Sequence, residues 1–388
     1  MKDAVSGKAG DILRSPVTAK RVSDAEDWWI SKRYSARLED GTLRGVQIVV
    51  HRGFVADGEV RVHLRVVEAP QLPKEVDEQS SNYLRILNTN LRRQVMLPFP
   101  GVPVRAQIGD AVGEAVTDRH GYASMKFQVE GLDAGWHEVT VQTLPEEEDL
   151  AQFSDSGRVL QPDLDAPFLV VSDIDDTVLR TGITEGFSAV RRSLLGNAHS
   201  RKAVSGMASL YRGLERGVVA EDGMQPARSP FFYLSTGPWF AYEPLVQFLQ
   251  LRGYPRGPLL LTDWGPTDKY LRRSGVEHKK KALRRLQSAY PELPKVLIGD
   301  AGQNDPDIYV DFARENPDVI KWILIVKPGS GADEQMTALR NRVPELRDEG
   351  IPILVVDDAL AAAQDAVDLG LCDEVTIEEV ETELGAVF

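Results

Sequence analysis

The chain has 388 residues, of which 42% are hydrophobic and 27% are charged, a balance typical of soluble globular proteins. This length exceeds that of one ordinary hydrophobic core, so two main domains are predicted. The composition excludes a collagen-like chain, and the single cysteine, Cys372, excludes a disulfide scaffold and a cysteine-ligated zinc protein. No run of about 18 uncharged apolar residues occurs, so no membrane-spanning helix is expected.

The net charge of −14 is concentrated at one end of the sequence. From Asp348 onward there are twelve acidic residues and no lysine or arginine, which leaves a net charge of −2 for the rest. Proteins that bind nucleic acid carry a dominant basic surface, so no nucleic-acid partner is expected. The first 15 residues lack the apolar core of a secretory signal. Together with the lone cysteine, this favours a cytoplasmic location.

Residues 1–40 are predicted to form an N-terminal arm, and residues 41–145 an antiparallel β-sandwich domain. The second segment contains short β-rich runs separated by turn sequences such as Asp118-Arg119-His120-Gly121. The predicted strands are Val46–His51, Glu59–Glu68, Val104–Ile108, Tyr122–Val129 and Trp136–Thr143. Regular punctuation by turns, without a long helical pattern, is typical of a sandwich.

Residues 146–166 are acidic and polar and are predicted to be a linker, followed by an α/β domain over 167–370 and an acidic tail over 371–388. The predicted strands of the α/β domain are Phe168–Ser172, Phe231–Leu234, Leu259–Leu261, Val296–Ile298, Trp322–Val326 and Ile353–Val356. Amphipathic stretches, such as Lys280–Tyr290 and Asp307–Glu315, lie between most of them. This pattern predicts a parallel sheet flanked by helices, with its chemistry at the carboxyl ends of the strands.

A cluster of carboxylates follows the first of these strands. Asp173, Asp175 and Asp176 stand within four residues and precede the hydroxyl of Thr177. Such a cluster is electrostatically costly unless a cation neutralises it, and its oxygen ligands suit Mg²⁺. The alternative interpretation is an acidic turn that closes the strand.

A second carboxylate pair follows the strand Val296–Ile298. Gly299-Asp300 ends the strand, and Asp305 follows five residues after Asp300 in a loop that contains Gly302. Glycines would allow this loop to bring both carboxylates toward one ion. An ordinary turn is the alternative for either cluster alone, but two such clusters in one sheet favour a metal site.

Two smaller features could serve a phosphoryl group. The strand Phe231–Leu234 ends at Ser235-Thr236, whose hydroxyls could bind phosphoryl oxygens, although the same sequence is common at turns. A lysine run, Lys279 to Lys281, opens an amphipathic helix, and a lysine there would balance charge in a carboxylate-rich site. Most lysines in such a run are expected to be solvated.

Taken together, these motifs resemble a known family. DxDxT, a strand-end hydroxyl, a lysine and GDx4D occur in this order in haloacid dehalogenase-like phosphohydrolases. The longer strings DIDDTV, YLSTGPW, EHKKKAL and LIGDAGQNDPDIY resemble the Mg²⁺-dependent phosphatidate phosphatases of the fungal actin-patch-associated type and their bacterial relatives, over about 167–363. The predicted sandwich also resembles one that the bacterial relatives carry. One departure is Ala301, where the family usually has serine.

The resemblance implies a role for each motif residue. Asp173 would be the nucleophile that forms an aspartyl-phosphate, and Asp175 the general acid and base. Ser235 and Lys279 would bind the phosphoryl oxygens. Asp173, Asp175 through its main-chain carbonyl, Asp300 and Asp305 would hold Mg²⁺ or its waters. The choice of Lys279 over Lys280 and Lys281 follows the His-Lys order of the family.

The substrate is less clearly indicated than the chemistry. The segment 186–214 has five basic residues, no acidic one and several apolar side chains. This composition suits an anionic lipid surface, and equally a solvated helical face with a core stripe. Three functions stay open: a phosphatidate phosphatase peripheral to a membrane, a phosphatase for soluble sugar phosphates, nucleotides or phosphoproteins, and an interaction protein that binds a partner through its sandwich and has a vestigial catalytic domain.

Overall fold

The computed structural model describes residues 45–69, 97–144, 152–174, 177–178, 204–220, 223–262, 275–328 and 332–385. The described residues form a mixed α/β structure that divides into two compact units. The first unit contains those up to Leu160, the short segment Gly237–Phe240 and those between Thr262 and His278, and the second unit contains the others. The predicted arm, 1–40, lies outside the described residues.

The first sheet has eight strands and is mainly antiparallel. Its strands are β1 (Val46–Val50), β2 (Gly53–Ala56), β3 (Glu59–Glu68), β4 (Pro103–Ile108), β5 (Ala111–Val116), β6 (Tyr122–Gln128), β7 (Gly135–Thr143) and β8 (Ser154–Gln161). They run in the order β1-β3-β2-β8-β7-β4-β5, and β6 pairs with β3. The prediction of an antiparallel sheet in this part of the chain is confirmed, while the sandwich arrangement stays a prediction.

Alternation along β3 shows how the first sheet forms its core. Val60, Val62 and Leu64 are buried, whereas the intervening Arg61 and His63 are only partly buried. Side chains of a strand alternate between its two faces, so one face of β3 is apolar and packs into the core of this unit. β3 pairs antiparallel with β1, β2 and β6, which places it at the centre of these hydrogen-bonded strands.

The predicted linker, 146–166, is corrected by the structure, because it contains strand β8. β8 pairs in parallel with β2, with Val159 opposite Gly53. A side chain at Gly157 would come within 2.4 Å of Val50, so glycine permits the close approach of β8 to β1. The strand was missed because it is polar over most of its length and pairs with a strand about a hundred residues earlier.

The second sheet has six strands and carries the predicted carboxylates. Its strands are β9 (Leu169–Asp173), β10 (Phe231–Pro238), β11 (Leu259–Thr262), β12 (Lys295–Asp300), β13 (Ile320–Val326) and β14 (Ile353–Val356). The order is β11-β10-β9-β12-β13-β14, with parallel pairing of β9 to β10 and β12 and of β13 to β12 and β14. From β9 the chain first adds β10 and β11 on one side, and later β12, β13 and β14 on the other side. Ligands of open α/β sheets bind at such a switch point.

Helices cover this parallel sheet, as the sequence predicted. They are α1 (Met207–Arg216), α2 (Tyr242–Leu251), α3 (Gly275–Ala289), α4 (Asp305–Glu315), α5 (Asp333–Asp348), α6 (Ala359–Asp368) and α7 (Val375–Gly385). A parallel sheet flanked by helices is thereby confirmed, and its assignment as haloacid dehalogenase-like stays a prediction. In the part of the chain that is described, no helix combines the length and apolarity required to cross a membrane.

The predicted acidic tail, 371–388, contains the helix α7, which packs against α1. The carboxylate of Glu383 accepts hydrogen bonds from the backbone N–H groups of Gly206 and Ser209, each at 3.0 Å, and so caps the N-terminus of α1. Arg216, at the other end of α1, forms an ion pair with Glu379 at 3.0 Å. Part of the acidic surplus therefore serves the packing of two helices.

Candidate active site

The carboxyl edge of the second sheet brings three aspartates together. Asp173 is the last residue of β9 and Asp300 the last of β12, and these two strands are parallel neighbours. Asp305 begins helix α4 immediately after the loop that follows β12. One carboxylate oxygen of each aspartate lies within 4.8 Å of the other two. The convergence predicted from two separate motifs is therefore present.

A buried lysine joins the three aspartates. The Nζ atom of Lys279, on α3, lies 2.6 Å from Oδ1 of Asp173 and 2.5 Å from Oδ1 of Asp305. Lys279 is 2% exposed, and Asp173, Asp300 and Asp305 are completely buried. The neighbouring Lys280 instead contacts Asp311 at 3.0 Å on the surface of α4. Of the three consecutive lysines, Lys279 is thus the one that lies among the carboxylates.

Electrostatics in this cluster favour a charged lysine. Burial by itself would lower the pKa of Lys279, but the charges of Asp173 and Asp305 raise that pKa above the ordinary value for lysine. With the carboxyl groups ionised, three negative charges face one positive charge in a place from which water is excluded. Buried charges require compensation, so the arrangement calls for a further cation.

The donor set of the cluster fits a metal ion. Oδ2 of Asp305 is buried and has no hydrogen-bond partner among the described residues. Carboxylate oxygens are hard donors of the type that Mg²⁺ prefers. The aspartate triad can therefore bind a divalent metal.

Two glycines shape the loop that carries Asp300. The N–H of Gly302 donates to Oδ1 of Asp300 at 2.6 Å and orients that carboxylate. A Cβ atom at Gly299 would lie 2.7 Å from Oδ2 of Asp305 and 2.8 Å from the ring of Tyr309. Glycine at 299 thus allows the start of α4 to approach the end of β12. The sequence signal was available, since glycine inside an apolar strand marks a close approach.

Some of the remaining predicted residues lie in the described part of the chain, and others lie outside it. Ser235 is buried within β10, one residue beyond Leu234, which pairs with Asp173. Ala301, at the position where the family usually has serine, is buried and directly follows Asp300. The predicted acid and base, Asp175, and its neighbour Asp176 lie outside the described residues, as does most of the basic segment 186–214.

Two residues that the sequence did not indicate lie against Asp173. The hydroxyls of Ser172 and Tyr211 are hydrogen-bonded at 2.7 Å, and Ser172 Oγ also donates to the main-chain oxygen of Asp173 at 2.8 Å. Both side chains are buried. Ser172 stands in the strand that precedes the motif, but no local pattern connects Tyr211, 39 positions later, with that strand.

Comparison with solved structures gave a weak likeness. The carbohydrate acetylesterase XAC1771 from Xanthomonas citri is 12% identical with a TM-score of 0.21, over 78% of this chain and 57% of that one. A likeness at this level carries no argument about fold or function.

Comparison with sequence families and curated proteins was more informative. Residues 168–327 match the family model described as Phosphatidate phosphatase APP1, catalytic domain. Phosphatidate phosphatase APP1 of Saccharomyces cerevisiae is 26% identical over 40% of this chain, and an uncharacterized protein of Schizosaccharomyces pombe is 24% identical over 46%. The chain covers 25% and 28% of the lengths of these relatives. The resemblance read from the motifs is confirmed over residues 168–327, which are similar to the catalytic domain of the APP1-type phosphatidate phosphatases.

Proposed function

We propose that this protein is a Mg²⁺-dependent phosphatase that hydrolyses phosphomonoesters, with phosphatidate as its substrate. The observation that carries the proposal is the buried cluster of Asp173, Asp300, Asp305 and Lys279 at the carboxyl edge of the parallel sheet. The cluster lies in the segment that matches the phosphatase family model. A buried group of this charge has little structural benefit, so a catalytic role explains it best.

Phosphoryl transfer to the protein is the first proposed step. A carboxylate oxygen of Asp173 attacks phosphorus, an O–P bond forms to that oxygen, and the bond from phosphorus to the ester oxygen breaks. Asp175 donates a proton to the departing alkoxide, which leaves as an alcohol. The ion pair with Lys279 holds the Asp173 carboxylate ionised for this attack.

Hydrolysis of the aspartyl-phosphate is the second proposed step. Asp175, now ionised, accepts a proton from a water molecule as the water oxygen attacks phosphorus. The bond between phosphorus and the Asp173 oxygen breaks, inorganic phosphate leaves, and the Asp173 carboxylate is restored. Asp175 therefore acts as acid and then as base.

Positioning and charge neutralisation supply most of the proposed catalysis. Ser235 and Lys279 bind oxygens of the transferred group, because a loose transition state spreads its charge over those oxygens. Asp173, Asp300, Asp305 and the main-chain carbonyl of Asp175 are the proposed ligands of Mg²⁺ or of its waters. When bound, the cation would neutralise charge on the phosphoryl group and orient it.

The substrate proposal has two supports. The yeast relative is named as a phosphatidate phosphatase, and the segment 186–214 is basic and apolar, a composition that suits an anionic lipid headgroup. We place the protein in the cytoplasm with peripheral access to a membrane. Soluble phosphomonoesters are the alternative substrates, because the same cluster would hydrolyse them too.

The test is phosphate release from phosphatidate in mixed micelles, with Mg²⁺ and with EDTA. We expect Mg²⁺-dependent release by the native protein and a loss of at least about 10³-fold in Asp173→Asn. Asp311→Asn is the matched control, because Asp311 is an exposed aspartate of α4 that contacts Lys280. Full activity in Asp173→Asn would contradict the nucleophile assignment, whereas turnover of a soluble aryl phosphate alone would favour the soluble alternative.

A further inference from the structure

We infer that the hydroxyls of Tyr211 and Ser172 form a chain of hydrogen bonds, called the relay below, that fixes the position of the proposed nucleophile Asp173. The inference rests on the proposed function, since it assigns these residues a role in presenting the Asp173 carboxylate. Neither hydroxyl is among the groups that the mechanism uses, and the burial of both demands a reason.

The hydrogen bonds define a direction for the relay. Ser172 Oγ donates to the main-chain oxygen of Asp173, so its own proton is committed to that bond at 2.8 Å. The 2.7 Å contact with Tyr211 then requires the tyrosine hydroxyl to be the donor and Ser172 Oγ the acceptor. The hydroxyls of Tyr211 and Ser172 therefore each have a defined direction of donation. Substitution of Tyr211 by phenylalanine would remove the hydrogen-bond donor to Ser172.

The relay acts on the peptide group that follows Asp173. The carbonyl of this peptide accepts from Ser172, and its N–H, which belongs to Ile174, donates to the carbonyl of Leu234 on β10 at 3.1 Å. The peptide is thus fixed at both of its polar atoms. The Asp173 side chain is held separately by Lys279. Backbone and carboxylate are therefore oriented by independent contacts, as in-line attack demands.

The support beneath Tyr211 is rigid. Its ring contacts that of Tyr254 edge to face, with centroids 5.2 Å apart, and that of Phe231 at 5.5 Å. Its helix, α1, is capped by Glu383 of α7, and a Cβ atom at Gly213 would lie 2.3 Å from Thr376 Oγ1, so α1 and α7 pack closely. The packing of α7 therefore holds α1, the helix that carries Tyr211. Through Tyr211 and Ser172, it also contributes to the position of Asp173.

A pair of tyrosine variants isolates the relay. Tyr211→Phe removes its hydroxyl, and Tyr254→Phe is the matched control, because the Tyr254 hydroxyl is buried in the same aromatic group and has no hydrogen-bond partner among the described residues. With phosphatidate micelles and Mg²⁺, we expect kcat to fall about tenfold in Tyr211→Phe with KM unchanged within about twofold. Tyr254→Phe should leave both constants near those of the native protein.

A double variant tests whether the two hydroxyls act as one unit. Ser172→Ala should lower kcat to a similar extent, and Tyr211→Phe combined with Ser172→Ala should lower it no further than Ser172→Ala alone, because both changes interrupt the same chain. Multiplication of the two effects in the double variant would contradict the relay.

Hydrogen exchange provides a measurement that does not depend on turnover. In Tyr211→Phe, we expect amide exchange in the peptide 169–178 to accelerate about tenfold or more, with little change in β13 or in Tyr254→Phe. Unchanged exchange there, or acceleration spread evenly over the second unit, would overturn the inference. If the native protein released no phosphate, the proposed function would be contradicted. Hydrogen exchange in Tyr211→Phe would still show whether the Tyr211 hydroxyl holds the backbone around Asp173.

Discussion

Lys295 is the first residue of β12, whereas Lys279 of α3 contacts aspartates at the carboxyl edge of the sheet, and the surroundings of these two buried lysines differ. At the amino end, Nζ of Lys295 donates to the main-chain carbonyl of Tyr290, and burial lowers the pKa of Lys295 to about 8. At the carboxyl end, Lys279 contacts Asp173 and Asp305, whose carboxylates lie near that of Asp300. Burial also acts on Lys279, but the two carboxylates reverse its effect and raise the pKa.

The difference shows that the surroundings of a buried lysine decide whether its charge is kept. Burial outweighs the charge of Glu292 and lowers the pKa of Lys295, whose Nζ donates to a neutral carbonyl, so the charge of this lysine is weakened. Burial among carboxylates preserves the charges and concentrates them in one small volume. The carboxyl end of β12 therefore has the concentrated charge that suits the proposed phosphoryl transfer.

The largest expected effect comes from Lys279→Met. This change leaves Asp173 and Asp305 buried without their cation, so without added metal we expect a loss of about 3–5 kcal/mol in the free energy of unfolding. Phosphatase activity should fall by at least about 10²-fold. Urea unfolding and phosphate release would measure the two effects. Lys280→Met, at the partly exposed lysine beside it, should change the free energy of unfolding and the activity only slightly. Equal effects of Lys279→Met and Lys280→Met would contradict a special role for Lys279.

A smaller effect is expected when the approach of α4 to β12 is disturbed. Gly299→Ala places a methyl group against Asp305 and Tyr309, so we expect a destabilisation of about 1–3 kcal/mol and a clear loss of activity. Gly385→Ala, where a Cβ atom would meet nothing within 4 Å, is the control. Normal Mg²⁺-dependent activity in Gly299→Ala would show that the position of Asp305 is not critical.

The smallest effect concerns Lys295 and depends on pH. Its pKa is about 8 in the folded protein and about 10.5 in the unfolded chain, so between these values the unfolded state binds more protons and stability rises with pH. Between pH 7.5 and 9.5, we expect the free energy of unfolding of the native protein to rise by on the order of 1 kcal/mol relative to that of Lys295→Met.

Lys321→Met, at an exposed position of β13, provides the control for this comparison. Urea unfolding at the two pH values measures the difference for each variant. Activity should change little in Lys295→Met, because Lys295 lies at the opposite end of β12 from the aspartates. A gain in the Lys321→Met comparison equal to that for Lys295→Met would contradict the assignment.

Much of the second sheet could be predicted because its signals are local. Continuous apolar runs gave all six strands, and the rule that chemistry lies at the carboxyl ends of parallel strands placed Asp173 and Asp300 at one edge. The first sheet was predicted less completely. β2 and β5 were missed, and β8 was assigned to a linker, because short, polar or glycine-containing strands are specified by their partners rather than by their own sequence.

The amino-acid sequence by itself indicated the resemblance to the phosphatase family, the α/β character of the second unit and the identity of the carboxylates. These properties reside in short motifs whose spacing reflects the local chemistry of a strand end. The tertiary structure places Lys279, which the resemblance had favoured over Lys280, among the aspartates. It alone shows that α7 caps α1 and that Tyr211 contacts Ser172, which donates to the main-chain oxygen of Asp173. Such contacts join residues distant in the chain, so they depend on how helices pack on the sheet, and no local pattern records that packing.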